Sequence, residues 1–420
     1  MTTQNALAHK PSMKLHGAPR SARRVLALLE KLPQGVLDVE LPDGHVLHFT
    51  GHKHSDPKHL RARLVLLNWR LFDRVLQSGD IGMAESYIDG DWHTPDLASL
   101  QMLAIANRTH IERLVYGSWW GSLLHRIKHR NNRNSRQGSE KNIHAHYDLG
   151  NQFYRLWLDD TMNYSSAWFG QAPDKSAVAL EQAQRAKVRR ALEQARVQQG
   201  SRVLEVGCGW GALAEMAASE FGAQVTGVTL SAEQLAWGQE RLKRAGLQDK
   251  TELCFQDYRD LPAQHSAQPF DAVLSIEMFE AVGREYWPAY FNAVKACLKP
   301  GGYACIQTIT IHDDLFERYV RSTDFIQQYI FPGGVLPSPA QFESQARAAG
   351  FEVVESMAFG HDYAETLRRW RADFMARESE VRTLGFDTRF VRIWEFYLAY
   401  CEAAFDQGNT NVVQYTLRRP

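Results

Sequence analysis

The chain is short of cysteine. Among 420 residues there are five, Cys208, Cys254, Cys297, Cys305 and Cys401, an odd and scattered set that suits neither a metal site nor a disulfide framework. They read as reduced residues of a cytoplasmic protein, and no metal centre is expected. Long apolar runs are missing as well: nothing approaches the ~18 residues of a membrane span, and the basic start of the chain, 1–24, has no apolar stretch of the secretory kind. Contact with a membrane is therefore expected only from its surface. Net charge is absent too, with 48 Lys and Arg against 48 Asp and Glu. A polyanion such as nucleic acid finds no overall attraction, so an electrostatic partner must meet a local patch.

What is present divides the chain into four. Residues 1–20 are polar and mixed and read as a flexible tail. Residues 21–115 read as an α+β accessory module: a helix at 21–31, strands at 35–41 and 45–50 around Pro42-Asp43-Gly44, helical periodicity at 60–77, and an apolar helix at 97–107. It contains no catalytic constellation. The connector 116–141 sets Trp119, Trp120, Leu123 and Leu124 beside Arg126, Lys128, Arg130, Arg133, Arg136 and Lys141, against the single acid Glu140. Apolar groups next to a basic run suit an anionic lipid surface, a nucleic acid, and equally a solvated linker.

From 142 onward lies the catalytic candidate. An amphipathic helix at 176–198 leads to strand patterns at 203–206, 225–230, 252–256, 272–276, 303–309 and 412–417. Helix patterns begin at 212, 232, 286 and 340, and an aromatic helix covers 390–405. Such alternation implies a largely parallel sheet covered on both faces, with ligands beyond the carboxyl ends of its strands, where Gly207, Thr229, Asp257 and Glu277 fall. The strand 203–206 runs into Gly207, Gly209 and Gly211 and then directly into a helix. Glycine-rich turns of this kind serve dinucleotides, flavins and S-adenosylmethionine alike. Two features favour the last. The spacing is G-x-G-x-G rather than G-x-G-x-x-G, and Glu205 stands where a carboxylate meets a ligand's ammonium. The next strand lacks a terminal acid and leads to Thr229, Ser231 and Gln234, neutral partners for ribose hydroxyls.

Several stretches together resemble the cyclopropane fatty acid synthase family: H-Y-D-L-G-N-Q-F-Y (146–154), M-N-Y-S-S-A-W-F (162–169), V-L-E-V-G-C-G-W-G (203–211), V-T-L-S-A-E-Q (228–234), Q-D-Y-R-D-L (256–261), E-M-F-E-A-V-G (277–283) and Y-I-F-P-G-G-V-L-P-S (329–338). The resemblance spans about residues 140–420. It implies a class I methyltransferase fold, an α/β architecture with a seven-stranded, mostly parallel sheet, to which 21–115 adds an α+β accessory domain. It also implies S-adenosylmethionine held by Tyr147, Tyr164, Ser165, Gly207, Gly209, Thr229, Leu230, Gln234 and the Asp257-Tyr258 turn. The reading of the residues adds Glu205, Gly211 and Ser231.

In that family the double bond of an unsaturated phospholipid acyl chain attacks the sulfonium methyl, and a bound bicarbonate removes a proton from the resulting cation to close a cyclopropane. The resemblance implies a bicarbonate site built from Glu280, the last acid of E-M-F-E, from Tyr363, and from two positions that depart from the family pattern: Ser166 where a cysteine stands and Gln307 where a histidine stands. Tyr164, Trp168, Phe279, Tyr329 and Phe331 are the aromatic candidates for facing the cation. The expected product is a cyclopropane fatty acid. The altered pair keeps open a methyl- or methylene-branched product, or a lipid-binding relative without turnover. A small soluble acceptor would need a polar acceptor site, which the aromatic stretches argue against. The expected setting is the cytoplasm, peripheral to the inner face of the membrane, with a homodimer as the assembly allowed for.

Overall fold

A computed structural model describes residues 17–52, 60–115 and 149–420. Most of the expected tail, the connector 116–141 and Tyr147 lie outside them. The chain forms two compact units, one from Met1–Pro95 with Asn107–Gly117 and one from Asp96–Ala106 with Ser118–Pro420.

In the first unit β1 (Val36–Glu40) and β2 (Val46–Thr50) form an antiparallel hairpin, and β1 pairs in parallel with β3 (Arg61–Leu66), which carries the short β4 (Trp92–His93). Helical periodicity at 60–77 is corrected here. Arg61, Arg63 and Val65 alternate with the buried Ala62, Leu64 and Leu66, a period of two that belongs to a half-buried strand. The helix starts only at Arg70 and runs to Ile88.

The segment Asp96–Ala106, inside the expected 21–115 module, groups with the second unit. The helix Leu97–Ala106 belongs to the second unit, where it packs against the helix Thr388–Asp406. Leu97, Leu100 and Leu103 supply a buried stripe at helical spacing.

The second unit is built on a seven-stranded sheet in the order β10-β11-β9-β8-β5-β6-β7. Its strands are β5 (Arg202–Val206), β6 (Gln224–Thr229), β7 (Thr251–Phe255), β8 (Phe270–Ile276), β9 (Leu298–Ile311), β10 (Glu352–Ala358) and β11 (Thr410–Arg418). The five strands from β7 to β9 run parallel, and β11 enters antiparallel between β9 and β10. Val203, Leu204 and Val206 are consecutive or nearly so and all buried, as expected of a strand covered on both faces. One face packs Val188, Leu192, Leu213, Met216 and Leu242 from the helices Leu180–Gln194, Ala212–Ser219 and Ala232–Arg244. The other packs Phe279, Trp287, Phe291, Phe342 and Tyr415 around the helices Trp287–Cys297 and Pro339–Ala348. This is the class I methyltransferase architecture.

Sequence reading did not find β10. It is an edge strand whose side chains are mostly exposed, and Val353, Val354, Met357 and Ala358 are spaced without strict alternation, so the strand period is weak. The helix Gly360–Ala376, which delivers Tyr363, was likewise not anticipated.

Phe342 stacks on Tyr415 at 4.1 Å and meets Phe279 and Phe291 at 5.2 Å, so it ties β11 to the helical layer. Phe342→Ala is expected to lower unfolding stability by about 3–5 kcal/mol, read as a reduced denaturation midpoint at constant slope.

Candidate active site

The cofactor cradle begins where β5 stops. Gly207, Gly209 and Gly211 all have positive φ, at 88°, 49° and 82°, a region open to glycine at no steric cost. At Gly207 the need is double, since a Cβ there would stand 2.9 Å from Met278 Cγ. A cavity opens beside this turn, lined by Tyr164, Ser165, Glu205, Gly207, Gly209, Thr229, Leu230, Gln234 and Tyr258. Three expected cofactor residues are placed otherwise. Gly211 lets two helices approach, since its Cβ would fall 3.2 Å from Gly238 Cα. Ser231 caps the helix Ala232–Arg244 by accepting the Gln234 N–H at 3.2 Å. Asp257 accepts the N–H and the guanidinium of Arg259, at 2.9 and 2.8 Å. None of the three lines the cavity.

Glu205 lines it while almost wholly buried. Its Oε2 has no hydrogen-bond partner. Burial drives its pKa well above the carboxylate range, opposed by Lys187. An unpaired buried acceptor facing a cavity suits a ligand carrying an ammonium group, so these residues fit S-adenosylmethionine.

Next to the cradle, β8 ends at Ile276 and Glu277 adopts φ 50°, unusual for a residue with a side chain. Its N–H continues the ladder to Gln307 C=O at 2.8 Å. Its carboxylate then gathers three donors: the Ser166 N–H at 2.8 Å, Gln307 Nε2 at 2.7 Å and the Tyr363 hydroxyl at 2.8 Å. These are the donors that the resemblance assigned, together with Glu280, to a bicarbonate. Glu277 takes the anion's place on them. A bicarbonate there would meet a carboxylate and find its donors engaged, so the residues do not fit one.

Glu280 is held separately. It accepts the Thr308 hydroxyl at 3.0 Å and the Ile309 amide, and its Oε2 is buried without a partner. Its backbone carbonyl accepts Val335 N–H at 3.0 Å, which ties it to the 329–338 loop. Burial, then the nearby Glu277, push its pKa up to about 8. Burial raises Glu277 as well, against the pull of the Ser166 amide, Lys187, Tyr363 and Gln307. With three donors against two, the charged form is favoured more at Glu277 than at Glu280.

Glu277 was read from sequence only as a residue at a strand end. Its signal was two glutamates three residues apart in E-M-F-E, of which the second drew the attention. Lys187 gave less to go on, because a lysine beside the apolar Val188 reads as solvent-facing. It is fully buried, donates to Ser165 Oγ at 2.6 Å, and burial lowers its pKa to about 8. Among the aromatic candidates only Tyr164 lines the cavity, its hydroxyl 2.7 Å from that of Tyr397. Phe279 is core, stacked on Trp287 at 5.5 Å. Tyr329 stacks on Phe325, Phe331 meets the edge of Tyr397, and Trp168 lies under Arg190.

Gly207→Ala is expected to weaken binding of S-adenosylhomocysteine about tenfold or more by titration calorimetry, since a Cβ is strained at that φ and forces Met278 to move. A second outcome concerns pH. A folded carboxyl with a pKa of about 8 keeps its proton while the unfolded chain loses it, so stability is full below the unfolded pKa and falls as pH rises toward 8. Chemical denaturation of Glu280→Gln across this range should show a shallower fall than the unaltered protein.

Residues 134–415 match the family model described as mycolic acid cyclopropane synthetase. The tuberculostearic acid methyltransferase UfaA1 of Mycobacterium tuberculosis is 40% identical over 353 residues, 82% of this chain and 80% of that protein. The cyclopropane-fatty-acyl-phospholipid synthase of Escherichia coli is 36% identical over 366 residues, 87% and 89% of the two chains. Among solved structures, the mycolic acid cyclopropane synthase CmaA1 complexed with SAH and CTAB superposes with a TM-score of 0.60 at 31% identity, covering 66% of this chain and 98% of that one. With the glycine cradle, the seven-stranded sheet and these matches in agreement, the chain belongs to the mycolic acid cyclopropane synthetase family of S-adenosylmethionine-dependent methyltransferases.

Proposed function

We propose that this protein methylates the double bond of an unsaturated phospholipid acyl chain and that Glu277 is the base that ends the reaction. The product is then a methyl- or methylene-branched chain that keeps one carbon–carbon double bond. The observation that carries this reading is the Glu277 carboxylate on the Ser166 amide, Gln307 and Tyr363.

S-adenosylmethionine supplies an electrophilic methyl group when bound. Glu205, Gly207, Gly209, Thr229 and Gln234 would hold it, and alignment of the acyl double bond is the main contribution open to the protein, because an alkene is a weak nucleophile. The alkene π pair forms the new carbon–carbon bond as the carbon–sulfur bond breaks, leaving a cation on the acyl chain. A Glu277 oxygen then takes a proton from carbon, and the C–H electron pair closes the new double bond. Glu280, neutral beside it, adds no second charge to repel the first.

Names of relatives support the branched product: the proteins 40% and 39% identical are called tuberculostearic acid methyltransferase and probable fatty acid methyltransferase. Ring closure with the same base is the second reading, favoured by the family description and by the cyclopropane-fatty-acyl-phospholipid synthase of E. coli. Peripheral binding to the cytoplasmic membrane surface through the connector and assembly as a homodimer belong to the same proposal.

Incubation with unsaturated phospholipid vesicles and methyl-labelled S-adenosylmethionine is expected to place label in acyl chains. Proton spectra should then show vinylic signals rather than shielded ring methylene signals; ring signals would replace the branched reading with the cyclopropane one. Glu277→Gln should lower turnover about 10²–10⁴-fold while S-adenosylhomocysteine binding stays within a factor of two. Turnover unaffected by this substitution would remove Glu277 from the role of base.

A further inference from the structure

Gln307 presents its amide nitrogen, not its oxygen, to Glu277. The two ends of a carboxamide have nearly the same shape, and the reversed orientation would set an oxygen lone pair against a carboxylate. Nothing in Gln307 itself decides between them. Its surroundings do.

Gln307 on β9 and Gln414 on β11 are direct cross-strand partners, and both are fully buried. Arg190, from the helix Leu180–Gln194, donates through Nη1 to Gln414 Oε1 at 2.6 Å. A guanidinium can only donate, so Gln414 must turn its oxygen to Arg190. Its Nε2 is thereby sent to the opposite side, where it donates to Gln307 Oε1 at 3.0 Å and to the Lys187 carbonyl at 3.2 Å. With its oxygen taken, Gln307 has only its nitrogen left for Glu277. The far end is anchored as well, since Arg190 Nη2 donates to Glu355 on β10.

We propose that Arg190 and Gln414 are positioning residues of the active site: a one-way chain of hydrogen bonds, Arg190 to Gln414 to Gln307 to Glu277, sets which end of the Gln307 amide meets the base and so aims the base. The cation at the head of the chain gives it its direction, and each amide passes that direction on. The inference rests on the reading of Glu277 as base. Glu277 is faced by Lys187 from the helix Leu180–Gln194, by Tyr363 from the helix Gly360–Ala376, by Gln307 from β9, by the Ser166 amide and by neighbouring Glu280. Of these contacts, the chain controls only the Gln307 bond.

The test compares Arg190→Met, Arg190→Lys and Gln414→Glu in the full-length protein on unsaturated phospholipid vesicles. Arg190→Met is expected to lower kcat about tenfold to a hundredfold, with KM for S-adenosylmethionine and binding of S-adenosylhomocysteine within a factor of two. The acid limb of its pH–rate profile should move up by about half a unit, because Glu277 loses a donor that favours its charged form. Arg190→Lys keeps a donor-only cation and should restore most of kcat. Gln414→Glu still accepts from Arg190 but has no N–H for Gln307, and should behave like Arg190→Met.

A readout independent of turnover is the Gln307 side-chain amide in proton–nitrogen spectra, assigned by its loss in Gln307→Leu. The proton bonded to Glu277 should lie downfield in the unaltered protein and move upfield in Arg190→Met. Unchanged kcat, acid limb and amide signal in Arg190→Met and Gln414→Glu would overturn the proposal. Should Arg190→Met fail to fold, Gln414→Glu and the amide signal decide it. If Glu277→Gln abolishes turnover while the Arg190 and Gln414 variants are indifferent, the chain is refuted and the base stands. If Glu277→Gln is itself indifferent in turnover while the amide signal moves, the base reading fails and the orienting chain survives.

Discussion

A half-buried carboxylate at the end of β8, lining the cofactor cavity, is the constraint on which the site depends. Glu277 is largely withdrawn from water, and an ionised group there is tolerated only where donors replace the solvent it has lost. The Ser166 amide, the Gln307 amide and the Tyr363 hydroxyl come from three different parts of the chain, and each has to arrive at hydrogen-bond distance. The sheet delivers Gln307 opposite the end of β8, the long helix Gly360–Ala376 delivers Tyr363, and the loop before the helix Leu180–Gln194 delivers Ser166. Lys187 adds a buried positive charge behind them. The left-handed backbone at Glu277 belongs to the same arrangement, since it turns the chain away from the strand at the residue where the carboxylate is needed.

The cofactor cradle obeys a complementary rule. There the chain removes side chains instead of gathering them, and Gly207 and Gly209 leave bare backbone beside the cavity. Charge is again to be met by charge: Glu205 keeps one oxygen unpaired in the cavity wall. Two glutamates thus face two different demands. Glu205 awaits a cation from the ligand, whereas Glu277 is already provided for by the protein. Glu280, with fewer donors and a pKa pushed up to about 8, is the neutral third member.

This distribution bears on how the family's chemistry is carried out here. A glutamine at 307, where the resemblance implies a histidine, looks in isolation like the loss of a charged partner for an external anion. Its neutral amide donor suits the carboxylate of Glu277, which belongs to the chain itself. The exchange of cysteine for Ser166 has little consequence at the anion, since only its backbone N–H reaches Glu277 while its hydroxyl bonds to the Ala167 carbonyl.

The sequence by itself determined the doubly covered sheet, the glycine turn at 207–211 and the place of Thr229 at the end of the following strand. All of these are local: apolar runs and glycine spacing need no distant residue to be interpreted. It did not disclose β3, where six alternating residues were absorbed into a longer helical pattern, or β10, a mostly exposed edge strand whose apolar residues do not alternate strictly. Above all it pointed to Glu280 and left Glu277 as a residue at a strand end. Only the tertiary structure could tell the two apart, because the difference lies in which donors converge on each carboxylate. Those of Glu277 are separated from it by 111, 30 and 86 positions along the chain.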